Sequence, residues 1–453
     1  MTEAMLRTLG AGATATAYAA LCLAVYARQR RLRSAAIREA AALSAESDAA
    51  PTLVLFASQT GQAETIAWQT ARQLRAAGTP VRVMELNALD AATLGSASRA
   101  LFVASTYGEG DAPDGASVFA ERVMGSPLAL SSLRYAVLAL GDRQYKNFCG
   151  FGRALDAWLQ ASGASPNFEC LEVDNSDPAA LAAWQARWGD TAAIGHEDPD
   201  GAFAPWRLAR RELLNAGSAG APVFLLSLVP HAGAMPRWAS GDLVQIAVAS
   251  DPARPRDYSI ASLPTDGELQ LLVRQEQHPD GTLGTASGLL TSTLTIGDTV
   301  ALRLRPHRAF RLEGNETRPL ILIGNGTGLA GLRAHLRARA AAGCHDNWLV
   351  FGERQAAYDF LCRGEIEAWQ ASGVLQRLDM VFSRDQPERL YVQHRLLQSA
   401  DTLRAWLDKG AAIYVCGSRQ GMASGVDAAL KQVAGSTLWQ DLVATGRYCR
   451  DVY

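Results

Sequence analysis

The sequence predicts an α/β chain: two parallel-sheet units with an antiparallel β-barrel between them, preceded by one transmembrane helix. Three observations carry this. Short, almost wholly apolar runs at 52–57, 100–105 and 135–141 each open into a loop of glycines, hydroxyls and aromatics, as buried parallel strands do at their carboxyl ends. Runs at 222–230 and 242–250 alternate like barrel strands. The strand-then-glycine pattern returns at 318–324, 347–354 and 411–422 and calls for a second parallel sheet.

Composition sets the outer bounds. A chain of 453 residues, 48% hydrophobic and 19% charged, has material for two or three domains. A formal net charge of -2 lacks the basic excess of a nucleic-acid surface. The seven cysteines stand singly, with no CxxC pair, so neither a metal centre nor a secreted disulfide scaffold is expected.

Residues 1–50 read as membrane anchor and stalk. The stretch 9–27 (LGAGATATAYAALCLAVYA) carries no charge and, at about 1.5 Å per residue, just matches a hydrocarbon core roughly 30 Å thick. Arg28, Arg30, Arg31 and Arg33 follow it, so the positive side and the bulk of the chain should face the cytoplasm. The expectation is a single-pass protein of the inner (cytoplasmic) membrane, with the lipid bilayer as one partner. An Ala-rich soluble or interfacial helix is the alternative.

The first soluble unit spans 51–195. Its strand 52–57 runs into Ser58, Gln59, Thr60, Gly61, Gln62 and Ala63, ahead of a segment with helical spacing. Backbone N–H groups, hydroxyls and a helix N-terminus make this a phosphate cradle, and the absence of a lysine points to a monophosphate. The next two loops carry Thr106, Tyr107, Gly108 and Gly110, then Leu140, Gly141, Asp142, Tyr145 and Phe148. Aromatics over glycines suit a planar ring, so phosphate loop and ring loops together fit a flavin mononucleotide. Here SQTGQAE (58–64), STYGEGDAPD (105–114) and LGDRQYKNFCGFG (140–152) resemble the three FMN loops of the diflavin reductases, the family of the sulfite reductase flavoprotein subunit and cytochrome P450 reductase. That resemblance implies a flavodoxin-like domain in which Tyr107 and Tyr145 flank the ring and Ser58 to Ala63 hold the phosphate. Asp174 and Asp177 lie where the ring pocket closes. Cys149, at a family position, reads as a buried small residue.

Residues 196–221 mix glycine, proline and charge and read as a linker, and 222–315 as the barrel. Arg256, Asp257, Tyr258 and Ser259 place a cation, an aromatic and a hydroxyl close together. Gly284, Thr285, Ala286 and Ser287 form a small-residue turn entering a helix. Both strings resemble the FAD site of ferredoxin-NADP reductase-like modules. By that resemblance Arg256 takes the pyrophosphate, Tyr258 stacks on ring or ribitol, Ser259 meets the flavin N5 edge, and Gly284, Ala286 and Ser287 line the pyrophosphate turn. The helical connecting domain of larger family members is absent or reduced to a stub.

The last unit, 316–453, is the nucleotide module. Gly326, Thr327 and Gly328 follow the strand 318–324 as a glycine turn for a dinucleotide. Family prolines are missing at Asn325 and Gly331, so a looser turn is expected. Ser383, Arg384, Arg389, Tyr391 and Gln393 supply two cations with hydroxyl donors, which suits a 2′-phosphate and hence NADPH. Taken alone, Cys416 reads as an inert strand cysteine. The resemblance instead sets Cys416 against the nicotinamide as an aid to hydride transfer, has Asp451 orient it, and stacks Tyr453 over the FAD ring.

The function implied is electron flow from NADPH through FAD and FMN to a haem-containing protein acceptor, in the membrane or out of it. The acceptor stays open among a sulfite-reductase haemoprotein, a haem oxygenase or monooxygenase and a membrane haem protein. The alternative is direct reduction of a small molecule such as a ferric chelate or quinone.

Overall fold

The computed structural model describes residues 51–58, 61–108, 110–143, 145–189, 202–252 and 254–453, with Arg419 and Gln420 described in backbone only. The first sheet holds β1 (Thr52–Ala57), β2 (Val81–Glu85), β3 (Arg99–Ser105), β4 (Arg134–Gly141), β5 (Ser165–Pro166) and β6 (Leu171–Asp174). Its order is β2-β1-β3-β4-β5, with β6 also on β4, and every pairing is parallel. Both faces are covered, which is why the central strands β1, β3 and β4 are almost wholly apolar between their ends. Leu53 and Leu55 enter one core with Phe102, Val137 and Leu155. Val54 enters the opposite core with Leu101, Leu138 and Trp184. The chain steps from β1 out to β2, then crosses back to β3 on the other side of β1. That reversal opens a crevice at the carboxyl ends of β1 and β3.

The second sheet is antiparallel: β7 (Ala204–Leu213), β8 (Val223–Pro230), β9 (Leu243–Ile246), β10 (Arg256–Ser259), β11 (Leu269–Arg274) and β12 (Thr299–Arg305), in the order β10-β9-β12-β7-β8-β11. Ile260 bridges Leu271, and Ala261 N–H donates to Gln270 O at 2.8 Å, so the two edge strands meet and the sheet curls into a barrel. Trp206, Leu226, Ile246, Leu271 and Leu302 fill it.

Two details differ from the sequence reading. Residues 204–213, expected within a linker, are the longest barrel strand. A register shift between Leu208 and Arg210 breaks the alternation that would have marked it. The strand expected over 242–250 is confined to 243–246, and a turn closed by Asp251 N–H on Val248 O follows. Among the described residues no helix between β7 and β13 exceeds five residues, so no helical connecting domain stands there.

The third sheet contains β13 (Leu320–Asn325), β14 (Asn347–Glu353), β15 (Arg377–Phe382), β16 (Ala412–Gly417) and β17 (Tyr448–Val452). It is wholly parallel, ordered β15-β14-β13-β16-β17, with its switch point between β13 and β16.

The membrane expectation is corrected. Among the described residues no helix is long and apolar enough to cross a membrane. Residues 9–27 lie outside those described, and Ala and Gly, which dominate them, contribute little transfer free energy per residue. The transmembrane helix, the bilayer partner and the single-pass inner-membrane location are therefore not carried forward.

Candidate functional site

The crevice of the first sheet gathers the three loops. Gly61 sits at φ 85° immediately before the helix Gln62–Ala76, a left-handed turn that a side chain would strain, and it aims the helix N-terminus into the crevice. Ser58 Oγ and Thr106 Oγ1 are buried without hydrogen-bond partners among the described residues. A buried hydroxyl left unpaired costs about 1–3 kcal/mol, so two of them at one crevice fit a polar group such as a phosphate. Gln59 and Thr60 lie outside the described residues. Ala63 and Leu140 belong with their side chains to the core, which leaves only their backbone for a ligand. Gln62 Nε2 donates to Ser176 Oγ at 2.7 Å, tying the phosphate loop to the loop after β6. Asp174 accepts from Arg143 N–H at 3.0 Å, and Asp177 caps the helix Pro178–Gln185. Both expected pocket-closing acids are thus engaged in local structure. Arg143 lies 5.0 Å over the Phe148 ring. Cys149 is buried at the start of the helix Gly150–Ala161, and burial pushes its thiol up to about 12, so it stays protonated and inert.

Tyr107 departs from expectation. It is buried, it packs with the third sheet's core, and the Arg450 guanidinium covers it at 4.1 Å. One face of this aromatic is therefore taken by the nucleotide module, which leaves at most the other for a flavin ring.

A buried polar cluster joins the barrel to the third sheet. Ser259, at the end of β10, donates to Asp451 Oδ2 at 2.6 Å across 192 positions of sequence. Cys416 Sγ at the end of β16 reaches the same oxygen at 3.7 Å. His307 Nδ1 lies 4.0 Å from Asp451 Oδ1 and was not foreseen. All four side chains are buried. Burial, with Asp451 beside it, holds the Cys416 thiol well above its usual pKa, so it is a neutral thiol at neutral pH. Tyr453 closes the cluster. Its N–H donates to Gly417 O at 3.1 Å, its hydroxyl meets Thr327 Oγ1 at 3.3 Å, and its side chain is 53% exposed. Tyr258 is half-buried and Arg256 is held at 3.1 Å by Asp251. Ser287 is less free than expected: its hydroxyl accepts from Glu276 N–H at 3.1 Å, while Gly284 and Ala286 form the turn before and into the helix Thr285–Gly288.

Beyond this cluster lies a cleft of about 500 Å³ lined by Asn325, Gly326, Ser383, Tyr391 and Gln393, and also by Arg274, Glu353, Arg354 and Met422. Gly328 allows the turn to press on β16, since a Cβ there would fall 2.1 Å from Cys416 O. The turn is not loose: Asn325 Oδ1 accepts from Ser418 N–H at 2.8 Å and pins it to β16. Hydrogen bonding from Arg384, with Arg389 adding charge, lowers the Tyr391 hydroxyl's pKa, so both cations converge on that side chain. Arg354 Nε and Gln393 Oε1 are buried and unpartnered among the described residues, a polar demand that a nucleotide fits. Arg274 was missed because it comes from the barrel, and nothing in its strand announces a ligand. Glu353 and Arg354 end a strand that was recognised.

Two family models match the chain: Flavodoxin over residues 54–188 and the oxidoreductase NAD-binding domain over 322–428. Among curated relatives, the sulfite reductase (NADPH) flavoprotein alpha-component of Vibrio parahaemolyticus is 28% identical, over 92% of this chain and 89% of that protein. The proteins of the same name from Vibrio cholerae and Neisseria meningitidis are each 29% identical over 88% of this chain, covering 87% and 89% of their own lengths. The first alignment runs to 552 positions against 453 residues here, so that relative carries a stretch with no counterpart in this chain. Flavodoxin and NAD-binding regions in one such chain make it an NADPH-dependent flavoprotein reductase, with FMN, FAD and NADPH as cofactors at the level of the family.

Proposed function

We propose that this chain, homologous across most of its length to the sulfite reductase flavoprotein alpha-components of the diflavin reductase family, passes electrons from NADPH through FAD and FMN to a haem-containing protein. The carrying observation is the convergence of Ser259 from the barrel with Cys416 and Asp451 from the third sheet, with Cys416 against the glycine turn that borders the cleft. Bound nicotinamide and flavins supply the two-electron and one-electron chemistry; the protein holds and orients them.

The residues divide that work. Asp451 fixes the Ser259 hydroxyl at the barrel edge, where it would meet the flavin of the FAD site, and also steadies the Cys416 thiol. The neutral Cys416 would lie beside the nicotinamide without attacking it. Tyr453, half exposed and held by two hydrogen bonds, would cover the flavin and yield its place to the nicotinamide. Ser383, Arg384, Arg389 and Tyr391 hold the 2′-phosphate. Ser58, Thr106 and the N-terminus of the helix Gln62–Ala76 hold the FMN phosphate. The relatives are alpha-components, which suits an acceptor on a separate polypeptide.

Anaerobic titration with NADPH, after quantifying bound FAD and FMN, tests the reading. One of each flavin per chain, both reduced, is expected. A single flavin, or an FMN that NADPH never reduces, would overturn it and favour direct reduction of a small molecule.

A further inference from the structure

We propose that His307 is a positioning residue for the reaction site, holding the carboxylate of Asp451 from the oxygen opposite Ser259. The inference rests on the reading of Ser259 and Asp451 as the pair that meets the flavin of the FAD site, and adds a residue behind it.

Asp451 presents its two oxygens to different elements. Oδ2 accepts from the Ser259 hydroxyl at 2.6 Å and meets Cys416 Sγ at 3.7 Å. Oδ1 faces His307 Nδ1 at 4.0 Å, within ion-pair reach and about 1 Å beyond a direct N–H···O bond. Ser259 and Cys416 offer neutral donors only. Asp451 is 5% exposed, and a carboxylate so far from water is costly unless donors or a cation offset it. An imidazole supplies either: it donates one N–H when neutral and carries charge when protonated. A carboxylate gripped on one oxygen can still turn about its broad terminal torsion, and a donor at the second oxygen opposes that turn.

The histidine is itself built into place. It follows β12 at the entry to the short helix Arg308–Phe310, is 1% exposed, and its ring lies 21° from parallel to Phe310 at 6.0 Å. Its backbone N–H donates to Asp242 Oδ1 at 3.0 Å. Asp242 is buried and clamped in turn by Arg311, through Nε at 2.6 Å and Nη2 at 2.8 Å. Gly241 lets the two turns close: it stands at φ 93°, and a Cβ there would fall 2.5 Å from Phe310 O. Arg311 thus offsets Asp242, which serves His307 as a backbone anchor, and Asp451 is the carboxylate that the imidazole meets. Arg311, Asp242, His307, Asp451 and Ser259 form one connected line from barrel to third sheet.

The test compares His307→Leu with His307→Gln in the flavin-loaded full chain. Leucine removes the donor; glutamine keeps an N–H without the charge. In anaerobic stopped-flow with NADPH, His307→Leu should lower the limiting rate of FAD reduction about 10-fold and leave the apparent Kd for NADPH within about 2-fold. Its FAD midpoint potential should fall by about 30 mV, a tenfold change in a two-electron equilibrium, because a less offset Asp451 charge disfavours electrons added beside it. His307→Gln should keep the rate within about 3-fold, which separates positioning from lost packing. Wild-type rate and potential in His307→Leu would overturn the proposal, as would equal slowing in both variants or a loss confined to FAD content. Failure of the underlying reading looks different: NADPH would not reduce the FAD of the wild-type chain, or Ser259→Ala would leave the limiting rate unchanged.

Discussion

Arg450 grips Asp114 with two donors, Nε to Oδ2 at 3.0 Å and Nη2 to Oδ1, and so joins β17 of the nucleotide module to the helix that follows the Tyr107 loop. Arg450 is 6% exposed, also binds Asp427 Oδ2 at 2.6 Å, and roofs Tyr107. The pair adjoins Asp451 and bridges the two ends of the proposed electron route. Asp114→Asn should slow FAD-to-FMN transfer several-fold in stopped-flow traces while leaving ferricyanide reduction from the NADPH side within about 2-fold. The reason is that the buried cation loses one of two carboxylates, a change of about 3 kcal/mol at the interface. Equal slowing of both steps would mean that Arg450 acts on the NADPH side instead.

Asp451→Asn should lower kcat for NADPH oxidation by about 10- to 100-fold at unchanged flavin content, because an amide oxygen holds the Ser259 hydroxyl and Cys416 thiol more weakly than a carboxylate. Ser259→Ala should give a smaller fall in kcat. A rise confined to KM in either variant would place the cluster in ground-state binding.

Tyr453→Ala should raise the use of NADH relative to NADPH. The ring is held by the hydrogen bond of its hydroxyl to Thr327, so removing it lowers the binding energy that the coenzyme spends on displacement. Steady-state kinetics with both coenzymes decide, and an unchanged preference refutes the idea.

His335 gives a pH dependence. It is fully buried, 5.0 Å from the Phe310 ring and 4.8 Å from Tyr414, and burial pushes its pKa down to about 3. The unfolded chain takes up this proton near pH 6.5 and the folded one does not. Stability is therefore full above pH 6.5 and falls as pH drops towards 3, by about 1.4 kcal/mol per unit once well below 6.5. Thermal melts of His335→Leu from pH 7 to 4.5 should slope less steeply than wild type, and parallel slopes would exclude His335 as the cause.

Much of this was legible in the sequence because it is local. Strand, loop and helix N-terminus follow one another within ten residues at Val54–Ala63 and Ile323–Leu332, and period and glycine placement mark them without reference to the rest of the chain. Cation and hydroxyl spacing from Ser383 to Gln393 is local in the same way. β7 was hidden because a bulge shifts its alternation by one residue. The membrane expectation rested on the weakly apolar run 9–27, which lies outside the described residues.

By itself the sequence determined the two parallel-sheet units and their glycine turns, since each depends on residues near one another in the chain. Only the tertiary structure decided that Ser259 meets Asp451, that Arg274 neutralises Glu353, and that Arg450 rather than a neighbouring loop covers Tyr107. Those pairs lie 192, 79 and 343 positions apart. No local propensity encodes them; the docking of one buried surface on another brings them together.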